Sequence, residues 1–319
     1  MEANMRGKRV VFTGASRGMG YFAALELARR GAEILVVGHN EARGTVAVKA
    51  IRGVGASADF LRADMGDASD VRQLADAVLA RQGSIDVLIH SAGGLAPAGA
   101  RTSDGVDRGF AQNFLGAYLL TRLLEDRLLA SAPARVIAVG SATHRMVKTF
   151  DVNDFMRPTK DLSQSGSFQR GNYQMLSYQV SKFAVTAWIL SLARRWAGHG
   201  VTANLLDPAM VKSELGEHFE GPGILDFIMS RLVPFFVAAD PRRAADYYLR
   251  LATDPGLEKV SGTYFVSGKE KPKDCSPLAL DLNMQVRIVE AAETWAAPFL
   301  PASPGRNTAD AVAVRAGGR

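Results

Sequence analysis

Arg9-Val10-Val11-Phe12-Thr13-Gly14-Ala15-Ser16-Arg17-Gly18-Met19-Gly20 joins a short apolar run to a glycine loop, and an Ala/Leu/Arg-rich helical pattern follows at once. That context decides more than the glycines do, because strand, glycine turn and helix in immediate succession aim unpaired backbone N–H groups at an anion. Gly14 permits the tight turn, Gly18 lets a pyrophosphate approach the backbone, and Gly20 lets the helix pack closely. Gly14, Ser16, Arg17, Gly18, Met19 and Gly20 are therefore the candidate phosphate-binding residues.

Outward from this loop the same alternation continues. Ile34–Val37, Ala56–Leu61, Val87–Ile89, Val136–Val139 and Val201–Leu205 read as buried strands separated by amphipathic segments. Such alternation predicts an α/β fold: a doubly wound, Rossmann-type parallel sheet with helices on both faces. No repeat or Pro/Gly/Ser-rich linker divides the chain, so residues 1–300 read as one domain and 301–319 as a flexible tail. Two stretches look added to the sheet core: the polar Arg145–Asn172 and the Phe/Ile/Leu/Met-rich Glu214–Asp240, an apolar lid.

The 319 residues are 47% hydrophobic and 22% charged, a balance suited to a soluble globular chain. The net charge of +6 comes from basic residues scattered among acids, which argues against a nucleic-acid partner. Cys275 is the one cysteine, which excludes an intrachain disulfide and a cysteine metal cluster and fits a reducing cytoplasm. No metal site is expected. Met1–Lys8 lacks the apolar core of a signal peptide, and Gly223–Ala239 is interrupted by Asp226, Arg231 and Pro234, so no transmembrane segment is expected.

The end of the second strand discriminates between the nicotinamide cofactors, because a carboxylate there holds a ribose 2′-hydroxyl and repels a 2′-phosphate. Gly38-His39-Asn40 offers no acid before Glu41, while Arg17 and Arg43 lie nearby. NADP(H) is therefore expected over NAD(H), with His39 and Asn40 beside the extra phosphate. Asp64-Met65 and His90-Ser91-Ala92-Gly93, after the third and fourth strands, are candidates for the adenosine end; Asp64 could accept a hydrogen bond from the adenine amino group or serve as a turn residue.

Tyr178-Gln-Val-Ser-Lys182 lies on a predicted helix over Tyr173–Trp196. Residues four apart share a helix face, and an ammonium beside a phenol is expected to lower the phenol pKa toward working pH. Of the seven tyrosines, Tyr178 alone has a lysine four residues on. A buried Tyr beside a snorkelling Lys would leave the same trace, and what separates the two readings is order. Glycine loop, Ser141, Tyr178/Lys182 and Asp207-Pro208-Ala209 all fall where a parallel sheet places its carboxyl edge. Ser141 with His144 suggests a hydrolase only weakly, because Val139-Gly-Ser-Ala-Thr143 lacks the second glycine of a nucleophile elbow.

These stretches resemble the short-chain dehydrogenase/reductase family over roughly residues 6 to 295, most closely its retinol-dehydrogenase-like and WW-domain-oxidoreductase-like branch. Val139-Gly-Ser-Ala-Thr-His144, Tyr178 to Lys182, Glu214-Leu-Gly-Glu-His218, Leu232-Val-Pro-Phe-Phe236 and Ser261-Gly-Thr-Tyr-Phe265 carry the resemblance. It implies that Ser141 hydrogen-bonds the substrate carbonyl, Tyr178 donates the proton, and Lys182 lowers the tyrosine pKa and holds the nicotinamide ribose. Asn113 matches an asparagine that supports a proton-relay water. Ser91, Ala92, Gly93, Pro208, Ala209 and Val211 fall on cofactor-binding positions. The sequence departs from the family in three places: His90-Ser91 replaces Asn-Asn, no arginine stands at His39, and Pro208-Ala209 replaces Pro-Gly.

The implied reaction is hydride transfer between NADP(H) and a carbonyl carbon, in the direction of reduction. The apolar lid would suit a bulky lipophilic ketone or aldehyde: a polyketide, steroid-like, terpenoid or retinoid-like molecule. A homo-oligomer interface or a peripheral membrane contact would use the same apolar surface. Alternatives from other classes are an NAD-dependent alcohol dehydrogenase and a non-catalytic NADP-binding redox sensor.

Overall fold

The computed structural model describes residues 4–156, 165–209, 219 and 240–301. Its frame is an eight-stranded sheet in the order β3-β2-β1-β4-β5-β6-β7-β8. The strands are β1 (Arg9–Thr13), β2 (Glu33–Gly38), β3 (Ala58–Arg62), β4 (Val87–His90), β5 (Ala134–Val139), β6 (Val201–Asp207), β7 (Tyr264–Val266) and β8 (Lys269–Glu270). All neighbours pair in parallel except β7 and β8. β6 is buried at every position and β4 likewise, as strands covered on both faces require.

Helices α1 (Gly18–Arg29), α2 (Glu41–Gly53) and α8 (Pro241–Thr253) cover one face. Their Ala23, Ala24, Leu27, Ala47, Ile51 and Tyr248 pack on alternate strand residues such as Val10, Phe12 and Ile34. The other face carries α3 (Ala68–Leu79), the segment α4 (Arg108–Phe110) to α5 (Gly116–Ala130) with a π-helical turn at Ala111–Leu115, and α7 (Ser167–Arg195). Short α6 (Asn153–Met156) and α9 (Pro277–Leu280) flank that layer, and α10 (Leu282–Ala296) closes over α7 with Ile288, Ala292 and Ala296.

Six expected strands are present, the third displaced to Ala58–Arg62. α7 begins well before Tyr173, because its first turns are polar and mostly exposed and carry no apolar period. The hairpin β7–β8 was not legible. Its strands are very short, and its turn rests on Ser267 (φ 49°) and Gly268 (φ 73°). Within the apolar lid, residues 214–239 lie outside the described residues except Phe219.

Register places the site. Thr13 pairs with His90, His90 with Ala138, and Ala138 with Leu205, so the carboxyl ends of β1, β4, β5 and β6 finish within two residues of one row, and β7 runs beside the end of β6 from Tyr264, the partner of Leu205, to Val266, the partner of Asp207. The chain reverses direction of travel across the sheet between β1 and β4, the switch point at which parallel sheets of this kind bind their ligands.

Candidate active site

The glycine loop fits a nucleotide cradle on steric grounds. Gly14 has φ 79°, and a Cβ there would lie 2.6 Å from the Ala92 nitrogen and 2.7 Å from the Ser91 carbonyl carbon. A Cβ on Gly20 would lie 2.5 Å from the Gly14 oxygen, so this glycine packs the helix on the loop itself. Gly18, with φ 56°, instead faces open space. The α1 N-terminus has no side-chain cap and no acid in its first turn, so its amides and dipole stay available to an anion. Thr13 stitches the loop to β4: its Oγ1 donates to the Ile89 oxygen and accepts from the Ser91 and Ala92 amides. Ser16 sits under the end of β2, where a Cβ on Gly38 would lie 2.9 Å from its Oγ. Met19 packs at the edge of the apolar layer.

At the β2 end, His39 is exposed and Asn40 caps α2, accepting from the Arg43 amide at 2.9 Å. Asp64 is first a turn residue: its Oδ1 accepts from the Gly66 amide at 2.9 Å, and its Oδ2 pairs with Arg108. Burial pushes its pKa up, but the Arg108 guanidinium and the Gly66 amide outweigh that and hold it below the usual carboxylate range. Met65 is buried, and a Cβ on Gly116 would overlap its carbonyl oxygen, which accounts for that glycine. Arg108 carries no sequence signal, since it meets Asp64 only across the fold.

The loop after β4 is held from three sides. Ser91 Oγ hydrogen-bonds Tyr248 Oη on α8 at 2.8 Å. Asn113, inside the π-helical turn, accepts from the Gly94 amide at 2.8 Å and donates to the Gly94 oxygen at 3.0 Å and Ser181 Oγ at 3.1 Å. A Cβ on Gly93 would run into its Oδ1. His90 is absorbed by the core: Thr121 spends its proton on the Ala117 oxygen, so His90 Nε2–H donates to Thr121 Oγ1 at 2.8 Å. Burial pushes the imidazole pKa down to about 3, which keeps it neutral.

Tyr178 and Lys182 project from one face of α7, with Nζ 5.7 Å from the phenol ring centroid. Lys182 Nζ donates to the Val139 oxygen at 2.9 Å, while Ser141, just past β5, hydrogen-bonds Tyr178 and accepts from Thr143 Oγ1 at 3.0 Å. The expected lowering of the Tyr178 pKa is not what the protein groups produce. Burial pushes the phenol up to about 12, Ser141 opposes this, and Asp207 adds to it. Burial brings Lys182 down to about 8 against the pull of Asp207. Desolvation is the largest cause for both: Lys182 is buried, and Tyr178 is half-buried beside it. At neutral pH Tyr178 therefore carries its proton.

His144 does not serve Ser141 as a base. Its Nδ1 lies 2.6 Å from the Ser141 carbonyl oxygen and its Nε2 accepts from the Ser276 amide at 2.9 Å, which assigns the proton to Nδ1. The alanine that follows Pro208, in place of glycine, is likewise accommodated. Ala209 adopts φ 58°, the left-handed conformation natural to glycine, and its amide donates to Asp207 Oδ1 at 2.8 Å. Left-handed backbone costs an alanine about 1–2 kcal/mol, partly offset in the unfolded chain. Ala209→Gly should thus melt at or slightly above the parent, by about 0.5 kcal/mol, in thermal denaturation. A clear loss of stability would show that the alanine methyl is needed. Pro208 is buried beside it, and Val211 lies outside the described residues.

Comparison with known proteins agrees with this geometry. Residues 8–150 match the short chain dehydrogenase family model, and residues 161–267 match that of the enoyl-(acyl carrier protein) reductases. Retinol dehydrogenase 13 of Mus musculus is 34% identical over 97% of this chain and 90% of its own length. Retinol dehydrogenase 12 of Homo sapiens is 35% identical over 81% of this chain and 77% of its own. A short chain dehydrogenase from Burkholderia cenocepacia, solved in complex with NADP, superposes with TM-score 0.63 at 23% identity, covering 83% of this chain and 98% of that one. Among the described residues no helix is long and apolar enough to cross a membrane. With fold, glycine cradle and whole-length relatives in agreement, this chain belongs to the short-chain dehydrogenase/reductase family, in its retinol-dehydrogenase-like branch, and is an NAD(P)-dependent oxidoreductase acting on alcohol and carbonyl groups.

Proposed function

We propose that the enzyme uses NADP(H) to reduce a ketone or aldehyde of a bulky lipophilic molecule, retinoid-, terpenoid-, steroid- or polyketide-like. One observation carries the reading. Tyr178 and Ser141 are hydrogen-bonded to each other at the carboxyl edge of the sheet, where one carbonyl oxygen can reach both hydroxyls, and NADPH as the cofactor favours reduction. The cofactor, when bound, supplies the hydride. Ser141 orients the carbonyl oxygen and Tyr178 delivers the proton to the alkoxide that develops there. Lys182 binds the ribose beside it. The amides from Gly14 to Gly20 take the pyrophosphate, and Arg17 with His39 take the 2′-phosphate that no carboxylate at the β2 end opposes. Asn113 supports the proton-relay water, and its side chain, bonded to Gly94 and Ser181, fixes the cofactor-side loop against α7. Ser91, Ala92 and Gly93 border the adenosine, while Pro208 and Ala209 border the nicotinamide. A reducing, cytoplasmic setting fits the single buried thiol of Cys275.

The lipophilic substrate rests on the composition of Glu214–Asp240 and on the names of the relatives. Fluorescence titration and a carbonyl panel test the proposal together. NADPH should bind at least about tenfold more tightly than NADH, a difference of about 1.4 kcal/mol. All-trans-retinal, a bicyclic ketone and long-chain aldehydes should turn over in preference to glyceraldehyde. A clear preference for NADH, or turnover confined to small polar aldehydes, overturns the corresponding half.

A further inference from the structure

Asp207, the last residue of β6, is a carboxylate with 3% of its surface exposed. An ionised carboxylate is costly to bury unless hydrogen bonds and opposite charge compensate. Tyr264 Oη donates to its Oδ2 at 2.7 Å and the Ala209 amide donates to its Oδ1 at 2.8 Å. The titratable groups within its field are Tyr178 and Lys182 on α7, Tyr264 on β7 and His144 in the turn after β5. Behind them, Arg145 and Cys275 act on Tyr264. Among these facing groups Lys182 is the buried cation, and its hydrogen bond goes to a neutral carbonyl, that of Val139 on β5, whose register partner on β6 is Leu206, the residue before Asp207.

We propose that Asp207 is a positioning residue for this site: its buried charge keeps Lys182 protonated, while its other oxygen holds the left-handed turn at Ala209. One carboxylate thereby sets both the charge of the α7 pair and the path of the chain beyond β6. The inference rests on the reading of Tyr178 and Lys182 as the reacting pair. Burial and Asp207 pull Lys182 in opposite directions, and both push Tyr178 up. Removing the charge lowers both values, so the pair gives up its first proton at lower pH whichever group loses it. Reduction needs that proton, and its alkaline limit should move toward neutrality.

D207N separates charge from turn, because the amide oxygen still accepts from Ala209 and the amide nitrogen can donate to Tyr264. Lysine 13Cε NMR reads Lys182 without a substrate, the resonance being assigned by its loss in K182R. Lys182 should titrate at about 8 in the parent. In D207N its midpoint should fall by about one unit, with an unchanged melting temperature. Tyr264→Phe removes the hydroxyl and keeps the carboxylate, so it should not lower the midpoint. An unchanged midpoint in D207N overturns the proposal, as does an equal fall in Tyr264→Phe, which would assign the effect to packing. Should D207N fail to fold, D207N combined with Ala209→Gly, in which glycine makes the turn unaided, is read in the same way. Turnover by Tyr178→Phe judges the catalytic reading separately.

Discussion

Tyr178→Phe loses carbonyl turnover by about a thousandfold or more while the protein stays folded and still binds NADPH. The substitution deletes one oxygen, and with it the proton source and the hydrogen bond to Ser141, but leaves the ring packed on α7. Losing that single bond costs about 1 kcal/mol of stability. Binding is spared because the glycine loop and Lys182 are untouched. Hydride transfer to a carbonyl with no donor at the oxygen would leave an alkoxide in a site whose walls are poorly solvated, and that is where the rate is lost. Stopped-flow loss of NADPH absorbance measures the step, and fluorescence titration measures binding. Parent-like turnover in the folded variant would remove Tyr178 from the chemistry.

Gly14→Ala strikes the fold and the cofactor site at once. At φ 79° an L-residue already pays for left-handed backbone, and the added methyl would sit within 2.8 Å of the Ser91 carbonyl group and the Ala92 amide nitrogen, backbone that cannot rotate aside. The loop after β4 must retreat, straining the hydrogen bonds that Thr13 gives and receives there. Together these terms amount to about 3 kcal/mol, and the melting temperature should fall by roughly 5–10 °C. NADPH affinity should drop at least about tenfold, because the amides aimed at the pyrophosphate move with the loop. A parent-like melting temperature would mean that the turn yields more cheaply than its contacts indicate.

Both substitutions act on residues that stand out in the sequence, and the reason is common to them. Gly14 announces itself because one backbone conformation admits almost no other residue, and Tyr178 with Lys182 because four residues on a helix is a short-range geometry. Strand identities were legible for the same reason: β1, β2, β4 and β5 each contain an unbroken apolar run of three or more residues, as burial on both faces demands, while in β6 Thr202 and Asn204 interrupt the apolar residues. The edge hairpin β7–β8 was not, since strands this short carry too little pattern to compete with a turn.

What the sequence by itself determined is the doubly wound sheet, the glycine cradle and the Ser141, Tyr178 and Lys182 set, all properties of local spacing and chain order. Only the tertiary structure decided how those groups are charged. It set the raised Tyr178 and lowered Lys182 by burial, placed both in the field of Asp207, and spent His144, His90 and the Asn113 side chain on backbone and core partners. It also showed that Arg108 takes one oxygen of Asp64 and that Ala209 keeps the turn of the glycine it replaces. Spacing along a chain sets which side chains share an element, but solvation and Coulomb interaction depend on distances between elements, and these exist only once the sheet has brought the ends of its strands into one row.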